Sequence, residues 1–440
     1  MQNYVKKITN TFIYVIINVI LMLLNFTCSN FRSFRDEQTI LMTPGSTRNH
    51  QGHIINHNNL EILSLSAIFG ANASGKSNIY KAMRYSRDFI LGKKIDKNSY
   101  FRLDPKYKEM PSVFEYEFTV GDNLYRYGFS MIISKGKVEG EWLWRMSNSD
   151  EEDTLLFQRP LDSNQHPKSL SKFKLRISKF LLLTLSDELG RNPDSETKEI
   201  LDVRDWFENN LKIISTEENL LGEMDYSEEQ CEKLGRFLSD FDVGIVSTNF
   251  KELDDKGKLN EDVVVYRKDV KIHTHYVVKK SKLEKDDQEK KGNSKKLLFL
   301  LNNHGSEDEQ FLWFDESDGT RRLMDLAPAI ISDESDVTYV IDELDRSLHP
   351  LVVYEYVRKF ASFRALGPKK QLLFTTHQTC LLDQELLRRD EIWFVEKNRD
   401  GSSDLFSLDV YKERFDKNLE KLYLNGRYGA IPRINKEDFI

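Results

Sequence analysis

Gly70 to Ser77 reads Gly-Ala-Asn-Ala-Ser-Gly-Lys-Ser and matches the pattern GxxxxGK[ST] at every position. Each fixed residue has a chemical reason to be there. Gly70 and Gly75 let the backbone turn tightly enough for its N–H groups to face phosphate oxygens. Lys76 supplies a mobile cation to β- and γ-phosphates, and the Ser77 hydroxyl suits Mg²⁺. Ala71, Asn72, Ala73, Ser74 and Asn78 complete the loop expected around the nucleotide. Far downstream, residues 337–343 read VTYVIDE, an apolar run ending in two adjacent carboxylates. Asp342 is expected in the Mg²⁺ shell and Glu343 against the attacking water. By itself, such an acidic strand end has an ordinary structural reading too. The run QLLFTTHQ places His377 just beyond another strand, where it reads either as a γ-phosphate sensor or as a plain strand-end residue.

These residues need particular elements to hold them. A short apolar strand (Leu63, Leu65, Ala67, Ile68, Phe69) precedes the glycine-rich loop. A helix with Ile79, Ala82, Met83 and Phe89–Ile90 on one face should follow it, its positive end toward the phosphates. Buried parallel strands deliver the acids and the histidine at their carboxyl ends. Just before the acidic strand, Glu316-Ser317-Asp318-Gly319-Thr320-Arg321-Arg322 opens a helix, RRLMDLAPAII. Its N-terminus reads either as a second anion cradle, serving the nucleotide of a partner subunit, or as a simple N-cap.

In this order the motifs resemble the ABC-type ATPase heads of the SMC and OLD group. They resemble most the stand-alone ATP-binding proteins of prokaryotic abortive-infection loci (RloA/AbiL-like). The stretches that carry the resemblance are NFRSF at 30–34, GANASGKSN at 70–78, ESDGTRRL at 316–323, VIDELDRSLHP at 340–350, FTTHQ at 374–378 and LYLNGRYGAIP at 422–432. The resemblance implies that Ser317, Gly319 and Thr320 form the signature completing the opposite subunit's site. It implies that Asp345 couples the two sites and that His377 is the switch histidine. Asn30, Phe31 and Arg32 would sit near the nucleotide. The signature departs from the LSGGQ form, and no Q-loop glutamine can be placed.

Composition agrees with such a protein. The chain has 440 residues, with 64 Lys+Arg against 71 Asp+Glu and a net charge of −7, which disfavours bulk nucleic-acid binding. Three cysteines without a CxxC pair make no disulfide framework. The apolar run Phe12–Leu24 behind Lys6 and Lys7 has the outline of a signal peptide. As a helix it spans about 20 Å, short of a roughly 30 Å hydrocarbon layer. From Met22 the chain alternates like the first strand of a soluble domain, so residues 1–21 are read as an extension of a cytoplasmic protein. A membrane-tethering segment is the competing reading.

The expected architecture is an α/β P-loop NTPase of ABC/SMC-head type, a mixed sheet with flanking helices. Its head lobes are 22–150 and 297–440, separated by an inserted, mainly helical lid at 151–296. SVFEYEFTVGDNLYRYGFSMII predicts a hairpin turning at Gly121-Asp122 and KVEGEWLWRM another strand. Helical patterns cover 177–189, 200–214 and 228–241, and the charged stretch 279–296 reads as a solvated loop, with a contact to nucleic acid as the alternative. His50, His53 and His57 lie in a polar, loop-like segment without the ligand company zinc needs. The expected function is an ATP-hydrolysing switch that dimerises around ATP and Mg²⁺ and controls a separate effector, a nuclease or toxin, in anti-phage defence. The alternatives are a DNA-maintenance ATPase that clamps DNA and a scaffold that binds ATP structurally.

Overall fold

A computed structural model describes residues 20–147, 152–159, 195–214, 228–252, 298–305, 310–312, 315–364, 368–411 and 417–432. β1 (Leu23–Ser29) forms where alternation from Met22 predicts it, paired antiparallel with β2 (Gln38–Leu41). A hairpin of β3 (Ile54–His57) and β4 (Leu60–Leu63) leads to β5 (Leu65–Phe69) and then to the P-loop helix, Lys76–Ile90. β6 (Ser112–Val120), β7 (Asn123–Ile132), β8 (Lys137–Met146) and β9 (Thr154–Arg159) meander beside β1, giving an antiparallel sheet in the order β2-β1-β6-β7-β8-β9. The expected turn at Gly121 is present, with φ +63°.

After β10 (Leu211–Ile214) comes a small sheet of β11 (Ser247–Glu252), β12 (Leu298–Asn303) and β13 (Gln310–Leu312). β14 (Val337–Ile341), β15 (Lys370–Thr375), β16 (Ile392–Lys397) and β17 (Ser403–Ser407) build the second large sheet, ordered β10-β14-β15-β5-β16-β17. Only β17 in it runs antiparallel to its neighbour. This is the expected α/β P-loop architecture.

Period-two alternation gives the parallel sheet two apolar faces. Ile68, Val340 and Leu373 point to the core shared with the antiparallel sheet and with Ile79, Ala82 and Met83 of the P-loop helix. Leu65, Ala67, Phe69, Tyr339, Ile341, Leu372 and Phe374 point the other way, under the helices Glu228–Ser239, Asp318–Ile331 and Pro350–Arg364. Burial on both faces is why these strands read as continuous apolar runs. Gln371 joins the sheets: its amide oxygen accepts from Leu23 N–H, and its nitrogen donates to the Leu23 and Leu63 carbonyls.

Three expectations are corrected. The 200–214 stretch is not helical throughout. Its helix, Ser195–Asp205, passes through one wide turn at Trp206–Asn210 into β10, which pairs with β14 and so belongs to the core sheet rather than to a lid. The apolar Leu-Lys-Ile-Ile finds a strand edge to bury against, and tertiary pairing overrides the helical pattern. The histidine segment is not simply a loop. It contains the β3–β4 hairpin, turned by Asn58 and Asn59, both at positive φ, as a tight hairpin turn requires. Packing also starts ahead of Met22, since Ile20 is fully buried with Met22, Leu24, Ile55 and Ile62. Residues 1–19, 177–189 and 279–296 lie outside the described residues.

Candidate functional site

Three neighbouring strands end at one place. Pairing of Ile341 with Phe374, and of Thr375 with Ile68, sets the ends of β14, β15 and β5 in register. The next residues along each strand are therefore Asp342-Glu343, Thr376-His377 and Gly70, side by side. A cavity of about 330 Å³ opens there, lined by Asn72, Ala73, Gly75, Lys76, Ser77, Asn78, Lys81, Glu343 and His377.

The glycine-rich loop is held from several sides. A Cβ on Gly70 would lie 2.5 Å from the Val395 carbonyl, and one on Gly75 would lie 2.6 Å from Ser33 Oγ and 2.7 Å from Ser403 Oγ. Gly70, Ala73 and Gly75 all take positive φ, so the loop's curvature is built in. Lys76 is buried, and its Nζ donates to Gly70 O (2.8 Å) and Ala71 O (3.0 Å) and lies 3.4 Å from His377 Nδ1. Burial lowers its pKa to about 8, opposed by Asp345, Asp342 and Glu343. His377 is pushed below the usual imidazole range, first by burial and then by Lys76.

Thr375 organises the acids. Its hydroxyl donates to Asp342 Oδ1 (2.7 Å) and accepts from Glu343 N–H (2.8 Å), while its carbonyl accepts from Leu344 N–H. Glu343 sits at φ +48°, a left-handed conformation uncommon for a residue with a side chain. Asp345 accepts the backbone N–H of His377, at 3.3 and 3.2 Å to its two oxygens, which ties the loop after β14 to the loop after β15 within one chain.

The helix Asp318–Ile331 begins as read. Ser317 is its N-cap, and its hydroxyl accepts from Thr320 N–H. Gly319 abuts the next loop, because a Cβ there would lie 2.8 Å from the Ser347 carbonyl. Ser317, Gly319 and Thr320 do not line the cavity around Lys76 of their own chain.

Several functional neighbours were not legible. In NFRSF, Asn30 binds the 101–111 loop through Phe101 N–H and the Tyr107 and Met110 carbonyls, and Arg32 is exposed. Ser33 is the member that touches the P-loop, accepting from Asn78 Nδ2 at 2.6 Å. Ser403, at the start of β17, donates to the Ser74 carbonyl, and nothing local in the sequence marks it. The three histidines part company: His50 meets the Gln384 carbonyl, His53 the buried Glu391, and His57 the Gly121 carbonyl. Among the described residues no group of three or more His, Cys, Asp or Glu is placed to hold a metal, and no helix is long and apolar enough to cross a membrane.

A magnesium ion fits the donor set by its chemistry. Ser77 offers a hydroxyl oxygen at the cavity wall, and Thr375 occupies only one oxygen of Asp342. Oxygen donors of this kind suit a hard cation that keeps part of its hydration.

A protein-family model described as "AAA domain, putative AbiEii toxin, Type IV TA system" matches residues 65–383. No curated protein matches the sequence. Among solved structures, the chain is similar to an SMC head bound to the C-winged helix domain of ScpA, at 13% identity and TM-score 0.41, covering 88% of this chain and 97% of that one. The SMC head domain from Thermotoga maritima gives 14% and 0.37, covering 88% and 98%. The Smc head with an extended coiled coil from Pyrococcus furiosus, bound to the C-terminal domain of ScpA, gives 12% and 0.37, covering 93% and 99%.

Proposed function

The chain belongs to the AAA-domain family matched over residues 65–383, and from that premise we propose that it is an ATP-hydrolysing switch whose complete sites form when two copies close on nucleotide. The observation that carries this reading is the convergence of Lys76, Ser77, Asp342, Glu343 and His377 at the ends of three adjacent strands. Backbone N–H groups of residues 70–77 and Lys76 hold the phosphates. Ser77 and Asp342 would hold Mg²⁺, which would supply neutralising charge on the phosphate oxygens. Glu343 accepts a proton from the attacking water, and His377, near Lys76, donates to the γ-phosphate. Asp345 keeps His377 in place through its backbone N–H.

The partner copy enters through Ser317, Gly319 and Thr320. These open a helix whose N-terminal N–H groups and dipole favour an anion, yet they stand outside the cavity of their own chain. A helix so placed serves a nucleotide presented by a second copy. The nucleotide state then controls a separate effector, a toxin or nuclease, in anti-phage defence. The family's description, which calls the matched domain a "putative AbiEii toxin" of a type IV toxin–antitoxin system, supports a toxin–antitoxin setting.

Glu343→Gln tests the reading. The variant keeps ATP affinity, slows phosphate release by about 10²–10⁴-fold and accumulates an ATP-bound dimer in light scattering. Phosphate release at the parental rate would overturn the role given to Glu343. A variant that stays monomeric at saturating ATP would overturn the sandwich.

A further inference from the structure

Arg322 lies one turn inside the helix that Ser317 caps, and it is only 6% exposed. Its Nη2 donates to two successive backbone carbonyls, Asp342 O at 3.2 Å and Glu343 O at 3.0 Å. Both residues belong to the same chain's phosphate site. Burial lowers the guanidinium pKa, opposed by the nearby carboxylates of Asp325 and Asp345.

The backbone that Arg322 grips is the unusual one. Glu343 takes its left-handed conformation just after β14, with its N–H on Thr375 Oγ1 and its carbonyl on Arg322. Such a conformation persists only where the surroundings over-determine it. Here one anchor belongs to the sheet and the other to the helix. At the head of that helix, Gly319 packs against the Ser347 carbonyl, so the helix also bears on the loop that follows Asp345. An α-helix is stiff over one turn, and Ser317 and Arg322 are separated by about 7.5 Å of rise. A displacement at Ser317 therefore reaches the Asp342 and Glu343 carbonyls without an intermediate joint.

We propose that Arg322 is a positioning residue that couples the two sites. Seating the Ser317 end of the helix on the partner's nucleotide sets the backbone at Glu343, and hydrolysis in the helix's own chain follows from that seating. This rests on the two-copy sandwich proposed above and adds its regulation. The guanidinium touches no substrate; it acts through the main chain of Glu343.

The test is steady-state phosphate release against ATP concentration for the full chain and for Arg322→Gln, with ATP affinity and thermal melting measured on both. The expected result is a kcat lower by about 10–100-fold, ATP affinity within about twofold of the parent, and a Hill coefficient that falls to 1. Arg322→Lys, which keeps the charge and reaches one carbonyl, should recover part of both kcat and cooperativity. If Arg322→Gln does not fold, the Lys variant is read on the same two axes and should fall between parent and non-cooperative. Parental kcat and Hill coefficient in a folded variant would overturn the proposal, as would a lower kcat with unchanged cooperativity, which marks support of the strand alone. Parental protein that hydrolyses ATP without cooperativity also overturns it. Parental protein that releases no phosphate overturns the ATPase reading instead.

Discussion

Glu141 and Glu343 are both glutamates beside a large sheet, and the protein treats them in opposite ways. Glu141, on β8 of the antiparallel sheet, is fully buried, with one oxygen taken by the Tyr127 hydroxyl and the other by Arg159. Its neighbours on that sheet are also committed: Glu117 to Arg126 and Asn25, and Glu115 to Trp142. At the end of the parallel sheet, Thr375 satisfies a single oxygen of Asp342. For the Glu343 carboxylate no hydrogen bond or ion pair is found among the described residues; what is fixed is its backbone. A buried acid whose oxygens are all occupied holds the fold together. An acid with a rigid main chain and open oxygens is arranged for something that arrives later.

The largest effect that would break this contrast is in stability. Glu141→Ala leaves Arg159 buried beside an empty position, and a loss of about 3–5 kcal/mol is expected in denaturant titrations. ATP affinity of the folded fraction should not change. Asp342→Asn should do the reverse, leaving the melting curve close to the parent while magnesium-dependent hydrolysis disappears. If the two variants melt alike, the acids at the strand ends are structural too and the contrast is lost.

A pH titration gives the next largest effect. Burial brings Lys76 down to about 8, and phosphate favours its charged form and so raises that value on binding. Below pH 8 the lysine is already protonated and affinity is complete. Above it, binding must take up a proton, so ATP affinity should fall toward about tenfold per pH unit. Equilibrium titrations of ATP across that range check it, and Lys76→Arg should flatten the profile. An affinity that rises with pH would mean that another group dominates the site.

Ser317 sharpens the contrast by the smallest step. Removing the cap with Ser317→Ala should cost about 1 kcal/mol in stability. Ser317→Asp restores a good cap yet places a negative charge where the partner's phosphate is expected. Parental turnover in the Asp variant would leave Ser317 as a cap and nothing more; restored stability with lost turnover supports the sandwich.

Much of the site was legible because its signals are local. GANASGKS is contiguous, and the acids and His377 stand directly after apolar runs whose length and β-branching announce buried strands. The helix after Ser317 and the hairpin at Gly121 were legible for the same reason. β10 was not, because Leu211–Ile214 carries a helix-compatible pattern and becomes a strand only beside β14. The β3–β4 hairpin was hidden in a segment whose histidines and asparagines look solvated, until His53 is buried against Glu391.

The sequence by itself determined the phosphate loop, the pair of acids, the histidine and the capped helix, since each depends on residues within a few positions of one another. Tertiary structure alone decided that the loop, the acids and the histidine meet at the ends of neighbouring strands and that Ser33 and Ser403 wedge against Gly75. It also decided that Glu343 is turned to a left-handed backbone and that Arg322 holds its carbonyl. Those are contacts between segments far apart in the chain. Their geometry comes from strand register and helix packing, which no local pattern of side chains records.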